Sequence, residues 1–209
     1  MKKKIFIIGA GGLGRELAAL IRALPEQFET AGFYDDIVPS GTTIMGLQVL
    51  GSIRQLASTS EAAQAVVAIG DPQIKQKIVS MLPELVQFPV IIHPSVVLGD
   101  ASTIRFGQGT VLTAGVKLTV DIELGSHVLV NLNSTIGHNT RIDDFCSIMP
   151  GVNLAGGITL GKRVLIGSGA NIINRAEIGD DAIIGSGAVV RTNIASGTTA
   201  VGVPARTIK

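Results

Sequence analysis

The stretch Ile178-Gly179-Asp180-Asp181-Ala182-Ile183-Ile184-Gly185-Ser186-Gly187-Ala188-Val189-Val190 follows a rule kept from Phe106 to Ile194, in which a bulky apolar residue returns at every sixth position. The series runs Phe106, Leu112, Leu118, Leu124, Val130, Ile136, Ile142, Ile148, Leu154, Leu160, Ile166, Ile172, Ile178, Ile184 and Val190. Four residues after each comes a small or β-branched partner: Thr110, Val116, Ile122, Val128, Ser134, Thr140, Cys146, Val152, Ile158, Val164, Ala170, Ala176, Ala182, Ala188 and Ile194. Fifteen repeats in one phase exclude coincidence.

A period of six fits neither a heptad nor a 3.6-residue helix, and the Gly, Asn, Thr, Val and Ile of the segment disfavour helix. Each hexad reads as one short strand plus a corner with both periodic residues inward, a β-solenoid. Gly107, Gly125, Gly137, Gly161, Gly167, Gly179 and Gly185 follow the large residue, where a close turn is expected. Upstream, Leu98 and Ile104 continue the second series.

This pattern resembles the hexapeptide-repeat acyltransferases. The resemblance implies a left-handed parallel β-helix with three hexads per coil, so the repeat makes about five coils. No insertion interrupts it, so no loop leaves the prism to build a pocket, and a neighbouring copy is needed to form a cleft. Trimers with sites between subunits are usual for that family.

The chain has 209 residues, a formal charge of +1, one cysteine and three histidines. That length holds one large domain or two small ones. The charge gives no reason to expect nucleic acid or an anionic membrane. A lone cysteine excludes an internal disulfide framework and makes the cytoplasm the default compartment. No apolar run approaches the roughly 18 residues of a membrane span, so no membrane insertion is expected. The opening Met1-Lys2-Lys3-Lys4-Ile5-Phe6-Ile7-Ile8-Gly9 imitates a signal peptide, but Arg15 and Glu16 interrupt it too early.

It reads instead as a strand, Lys3 to Ile8, a glycine turn, Gly9-Ala10-Gly11-Gly12-Leu13-Gly14, and a helix, Arg15 to Leu24. Gly9, Gly11 and Gly14 match G-x-G-x-x-G between strand and helix, where backbone N–H groups can face a phosphate. A second strand, Thr30 to Tyr34, ends in Asp35-Asp36, whose carboxylates can accept ribose or sugar hydroxyl protons. A third, Ala65 to Ile69, ends at Gly70; Asp71 then caps a helix beginning with Pro72 and running to about Leu82. A fourth spans Val86 to Ile92. The expected organisation is an α/β Rossmann-like domain of about four parallel strands over 1–92, then the all-β left-handed parallel β-helix with its tail over 93–209. So small a sheet leaves little chain for a nicotinamide site, which favours a nucleotide-sugar over NAD.

Asn133-Ser134-Thr135-Ile136-Gly137-His138, with Asp143-Asp144-Phe145 and Pro150-Gly151 after it, resembles the branch that acetylates sialic acid or the amine of nucleotide-linked 4-amino-sugars. The small glycine-rich N-terminal domain also belongs to that branch, so the similarity covers nearly the whole chain. It implies His138 as general base, Asn139 where an acid commonly orients the imidazole, and the Gly156 backbone as donor to the tetrahedral intermediate. For the sugar nucleotide it implies Gly11, Gly12, Leu13, Asp35, Asp36 and Gly70. For acetyl-CoA it implies Ser147, Gly156, Ser168, Ser186 and Pro204, the last in the Val201-Gly202-Val203-Pro204-Ala205 tail. Ser147 stands where the family has a second histidine, and Leu13 where it often has one. Lys162, Arg163, Arg175 and Arg191 are phosphate partners or plain solvated charge.

The expected reaction is acetyl transfer from acetyl-CoA to a nucleotide-linked 4-amino-sugar in surface-glycan synthesis. Sialic acid O-acetylation and a non-catalytic nucleotide-sugar-binding trimer are the alternatives. No metal is expected, because a zinc hydratase needs about three protein ligands. The repeat offers only His127 and His138, 11 residues apart where coil neighbours are 18 apart. Cys146 is inward, a small hydrophobe and not a nucleophile.

Overall fold

The computed structural model describes residues 2–208; Met1 of the opening stretch and Lys209 of the tail lie outside the described residues. The chain divides into two compact units, Met1–Pro94 and Ser95–Lys209.

In the first unit, β1 (Lys3–Ile8), α1 (Gly12–Arg22), β2 (Phe28–Tyr34), β3 (Thr43–Ile44), β4 (Leu47–Gly51), α2 (Ile53–Ala57), β5 (Ala63–Val67), α3 (Pro72–Met81) and β6 (Val86–Gln87) follow one another. The sheet order is β3-β4-β2-β1-β5-β6, parallel throughout except for the antiparallel β3–β4 hairpin. The expectation of about four strands therefore omits the β3–β4 hairpin, turned by left-handed Met45 and Gly46. The alternation in β4 is weak, since Val49 is its only buried large side chain. The expected fourth strand is shorter: Val86–Gln87 pairs with β5, and Ile91–Ile92 is a separate strand. Pro89 stands between them without a ladder donor. The expected cap of α3 is present, with Asp71 accepting from the Ile74 amide at 2.9 Å and Pro72 at the first helical position.

The second unit is a parallel β-helix with an 18-residue coil. Leu112, Val130, Ile148, Ile166 and Ile184 stack in register, as do Leu118, Ile136, Leu154, Ile172 and Val190, and Leu124, Ile142, Leu160 and Ile178. From Leu112 to Ile184 the large series is buried throughout, each aliphatic side chain contributing about 1.5–3 kcal/mol by leaving water. The second series is buried too, and its polar members share one solution. Thr110, Ser134, Thr140 and Cys146 each donate to a carbonyl 15 residues ahead, on Gly125, Met149, Ala155 and Gly161. Cys146 is thus an interior donor equivalent to a hydroxyl, inward as expected.

Two expectations shift at the ends. Leu98 pairs with Leu118 of the large series, because the turn Ala101–Thr103 lengthens the first coil by two residues. Ile194 pairs with Ile178, so it too stands in the large series, the last coil being two residues short.

The turns also differ from expectation. The left-handed residue falls three positions after the large one at every corner from Gly109 to Gly187, including Asp121, His127, Asn133, Asn139, Phe145, Arg163, Arg175 and Asp181. The glycine directly after the large residue answers another need, close approach of coils. A Cβ on Gly137 would lie 2.6 Å from the Ala155 carbonyl carbon.

Candidate active site

From His127 to Gly187 each left-handed corner residue donates its N–H to a carbonyl in the preceding coil, which stacks equivalent corners into columns. Asn139 donates to Val120, Gly157 to His138 and Arg175 to Gly156. His138 is therefore exposed on a corner, one coil before Gly156. Its Nδ1 lies 2.8 Å from Asn139 Oδ1. An amide oxygen only accepts, so in the neutral ring this contact puts the proton on Nδ1 and leaves the lone pair on Nε2. That Nε2 faces Gly156: a Cβ added there would sit 2.5 Å from it. Among the described residues the Gly156 amide donates to no acceptor. A base nitrogen and an unspent backbone donor thus meet on one corner, the pair an acyl-transfer centre requires.

The other expected residues of this unit divide between places. Ser168 and Ser186 are exposed and stack on a different corner, where Gly169 donates to Pro150 and Gly187 to Ser168. Pro204 is exposed in the turn between Thr199–Val201 and Arg206–Thr207. Ser147 is fully buried, which removes it from any surface a cofactor could touch in this chain. Arg163 forms a two-pronged pair with Asp181, 2.7 Å in each arm, so it is not an unengaged phosphate partner. His127, outward by the repeat, is 3% exposed, because its ring stacks on Phe145 with centroids 5.0 Å apart.

In the first unit, the carboxyl ends of β1, β2 and β5 surround a cleft of about 670 Å³. Gly9 has a left-handed φ of 103°, and Gly14 packs where a Cβ would strike the Gly9 carbonyl oxygen, so both glycines are required by the turn. Gly11 caps α1 without a side chain, and no acid stands in the first turn. The N–H groups of Gly12, Leu13 and Gly14 therefore start the helix with no side-chain cap, a ready anion site.

The two acids differ. Asp35 Oδ2 accepts from Ala10 at 2.7 Å, and Oδ1 accepts from Ile37 and Val38 at 2.8 Å each. Burial pushes this carboxyl up, but the Ala10, Val38 and Ile37 amides outweigh it and hold it below the ordinary value. Asp35 is thus engaged by backbone. Asp36 spends only Oδ1, on the Ile53 amide at 2.8 Å, and lines the cleft with Gly9 and Asp35. Gly70 follows the lining residue Ile69.

Sequence reasoning did not reach Ile37, Ile53, Arg54, Lys77 or Met81, which also line the cleft. The signal for α2 was present as Ser52-x-x-Gln55, whose side chains form a reciprocal capping box.

Among the described residues, no group of three or more His, Cys, Asp or Glu is placed to hold a metal, and no helix is long and apolar enough to cross a membrane. Residues 4–82 match the PglD N-terminal domain family, and residues 157–192 match the bacterial transferase hexapeptide (six repeats) family. The chain is 31% identical over 166 residues to GDP-perosamine N-acetyltransferase of Escherichia coli O157:H7, a match spanning 78% of this chain and 74% of the relative. The acetyltransferase domain of PglB from Neisseria gonorrhoeae FA1090, solved in complex with acetyl coenzyme A, is 31% identical with a TM-score of 0.91 over 100% of both chains. PerB from Caulobacter crescentus, solved with CoA and GDP-perosamine, is 28% identical with a TM-score of 0.86, covering 99% of this chain and 97% of its own. By these similarities over both units, the chain belongs to the hexapeptide-repeat, left-handed β-helix sugar acetyltransferases.

Proposed function

We propose that the protein transfers acetyl from acetyl-CoA to the amine of a nucleotide-linked 4-amino-sugar, by direct attack, in surface-glycan synthesis. The observation that carries this reading is the His138 corner, where Nδ1 is tied to Asn139 Oδ1 at 2.8 Å and Nε2 is turned to the bare Cα of Gly156. It is joined to a first unit with an uncapped helix start and an acid-lined cleft.

The sugar amine attacks the thioester carbonyl as the neutral base. As its C–N bond forms, the nitrogen becomes positive and His138 Nε2 takes its proton. The carbonyl oxygen becomes an oxyanion, which the Gly156 N–H receives. Collapse re-forms the carbonyl and breaks the C–S bond, and the proton passes from His138 to the leaving thiolate. The products are the amide and CoA, with no acyl-enzyme.

The cofactor residues of the reading lie on two corners of one prism, His138 and Gly156 on one, Ser168 and Ser186 on another. A homotrimer would set one copy's histidine corner against its neighbour's serine corner and complete three sites. A cytoplasmic location belongs to the same reading, since acetyl-CoA is the donor.

The test is acetyl-CoA turnover against UDP-, GDP- and dTDP-linked 4-amino-sugars and free sialic acid, with wild type and His138→Ala. Turnover of one amino-sugar that collapses in the variant supports the reading. Turnover of sialic acid alone replaces N-acetylation by O-acetylation, and turnover untouched in the variant removes His138 as base.

A further inference from the structure

Resting on the N-acetylation reading above, we infer that Asn139 confines transfer to amines. By orienting His138 without supplying charge, it leaves a base sufficient for an amine but too weak for a hydroxyl or for water. Asn139 is then the positioning residue that sets the class of nucleophile and protects acetyl-CoA from hydrolysis at this corner.

The contact goes beyond what the turn requires. Asparagine suits a left-handed corner, and Asn133 adopts φ 57° directly after Leu132, with no histidine before it. Asn139 has φ 56° and donates its N–H to the Val120 carbonyl at 3.2 Å, which completes the corner. In addition its Oδ1 lies 2.8 Å from His138 Nδ1.

No carboxylate takes that place. Among the described residues His138 has no ion-pair partner. Arg141, three residues on, pairs with Asp143 at 3.1 Å. Asp121, one coil below Asn139, and Arg175, whose stem lies over Gly157 above it, make no bond to the ring.

The two kinds of nucleophile make different demands on Nε2. A neutral amine attacks as it stands; once the C–N bond has formed its nitrogen is cationic, and that acidic proton passes readily to the imidazole. A hydroxyl or water is a poor nucleophile until its proton is leaving. Its O–C bond therefore forms as Nε2 takes the proton, and the ring becomes an imidazolium within the transition state. A carboxylate on Nδ1 stabilises that imidazolium, whereas a neutral amide holds the tautomer and adds no charge. In each case the oxyanion meets the Gly156 N–H, the C–S bond breaks and the thiolate takes the proton from Nε2. The products are an amide, an ester or acetic acid, each with CoA.

The experiment is Asn139→Asp. The fold accepts aspartate in this turn, since Asp121 and Asp181 hold the same conformation with φ 54° and 59°. CoA thiol release is followed with the nucleotide-linked 4-amino-sugar, with its 4-hydroxy counterpart and with no acceptor. Rates are taken on the pH-independent plateau for wild type, Asn139→Asp and the double variant Asn139→Asp/His138→Ala, with thermal melts to confirm folding. We expect Asn139→Asp to raise both the hydroxyl-to-amine and the hydrolysis-to-amine rate ratios at least about tenfold. The double variant should lose both gains.

Unchanged ratios overturn the inference. So does a gain that survives the loss of His138, which would make the new carboxylate itself the base, and so does a wild type that acetylates the hydroxyl as fast as the amine. All three leave amine transfer standing. A wild type that acetylates no amine removes the N-acetylation reading, and the inference with it.

Discussion

Replacing Gly156 by alanine separates the catalytic role of this corner from its structural one. The Gly156 backbone lies outside the left-handed region, so alanine is unstrained there. Its Cβ would stand 2.5 Å from His138 Nε2 and 2.6 Å from Cε1, where ordinary contact begins at 3.4 Å. The ring is the far end of a side chain on an exposed corner and can swing away, moving Nε2 by about 1 Å. A displacement of that size at a reacting group costs on the order of 100-fold in rate. We expect kcat for acetyl transfer, followed by release of the CoA thiol, to fall about 100-fold. Stability should change by under about 1 kcal/mol, a Tm shift within roughly 4 °C. Gly137→Ala is the contrast, because its Cβ would meet backbone atoms of Ala155 and Gly156 at 2.6–2.8 Å. Coil backbones cannot give way, so that variant should lose stability first. A folded Gly156→Ala enzyme with kcat within about threefold of wild type would refute the placement of His138 Nε2 at the reacting nitrogen.

His138→Ala should lower kcat by about 10²–10⁴-fold with little change in Tm, measured by the same thiol release. Asn139→Asp sets a carboxylate beside Nδ1, which favours the protonated ring, so the acidic limb of the pH–rate profile should move to higher pH; an unmoved limb would sever the 2.8 Å contact from catalysis. Asp35 is held below 3.8, so it contributes stability at neutral pH that is lost as pH falls below 3.8 and through its folded value. Asp35→Asn should flatten that acid dependence, read by fluorescence of Tyr34, the single tyrosine in a chain without tryptophan. Ile166→Ala, inside the coil stack, should cost about 2–5 kcal/mol by denaturant unfolding.

The solenoid was legible because its core is periodic: the inward positions of one coil recur in the next, so burial writes itself into the chain every six residues. Lys3–Ile8 was legible as an apolar run ended by glycine, and α3 through the Asp71-Pro72 start. The β3–β4 hairpin was not, since Val49 alone carries its large buried contact. The two end coils were misphased because a turn of Ala101–Thr103 and a shortened last coil change the register without disturbing the apolar alphabet.

From the sequence by itself come the hexad fold, the strand–glycine–helix start and the candidacy of His138, since each rests on residue types at fixed spacing. Tertiary structure alone decided what those groups touch. Winding at 18 residues per coil lays Gly156 over His138 and His127 over Phe145, and it separates the Ser168 corner from both. In the first unit, strand order brings Asp35 to the Ala10 amide and Asp36 to the Ile53 amide. The physical reason is that hydrogen-bond capacity and contact distance depend on which chain segments become neighbours, and a one-dimensional spacing does not contain that information.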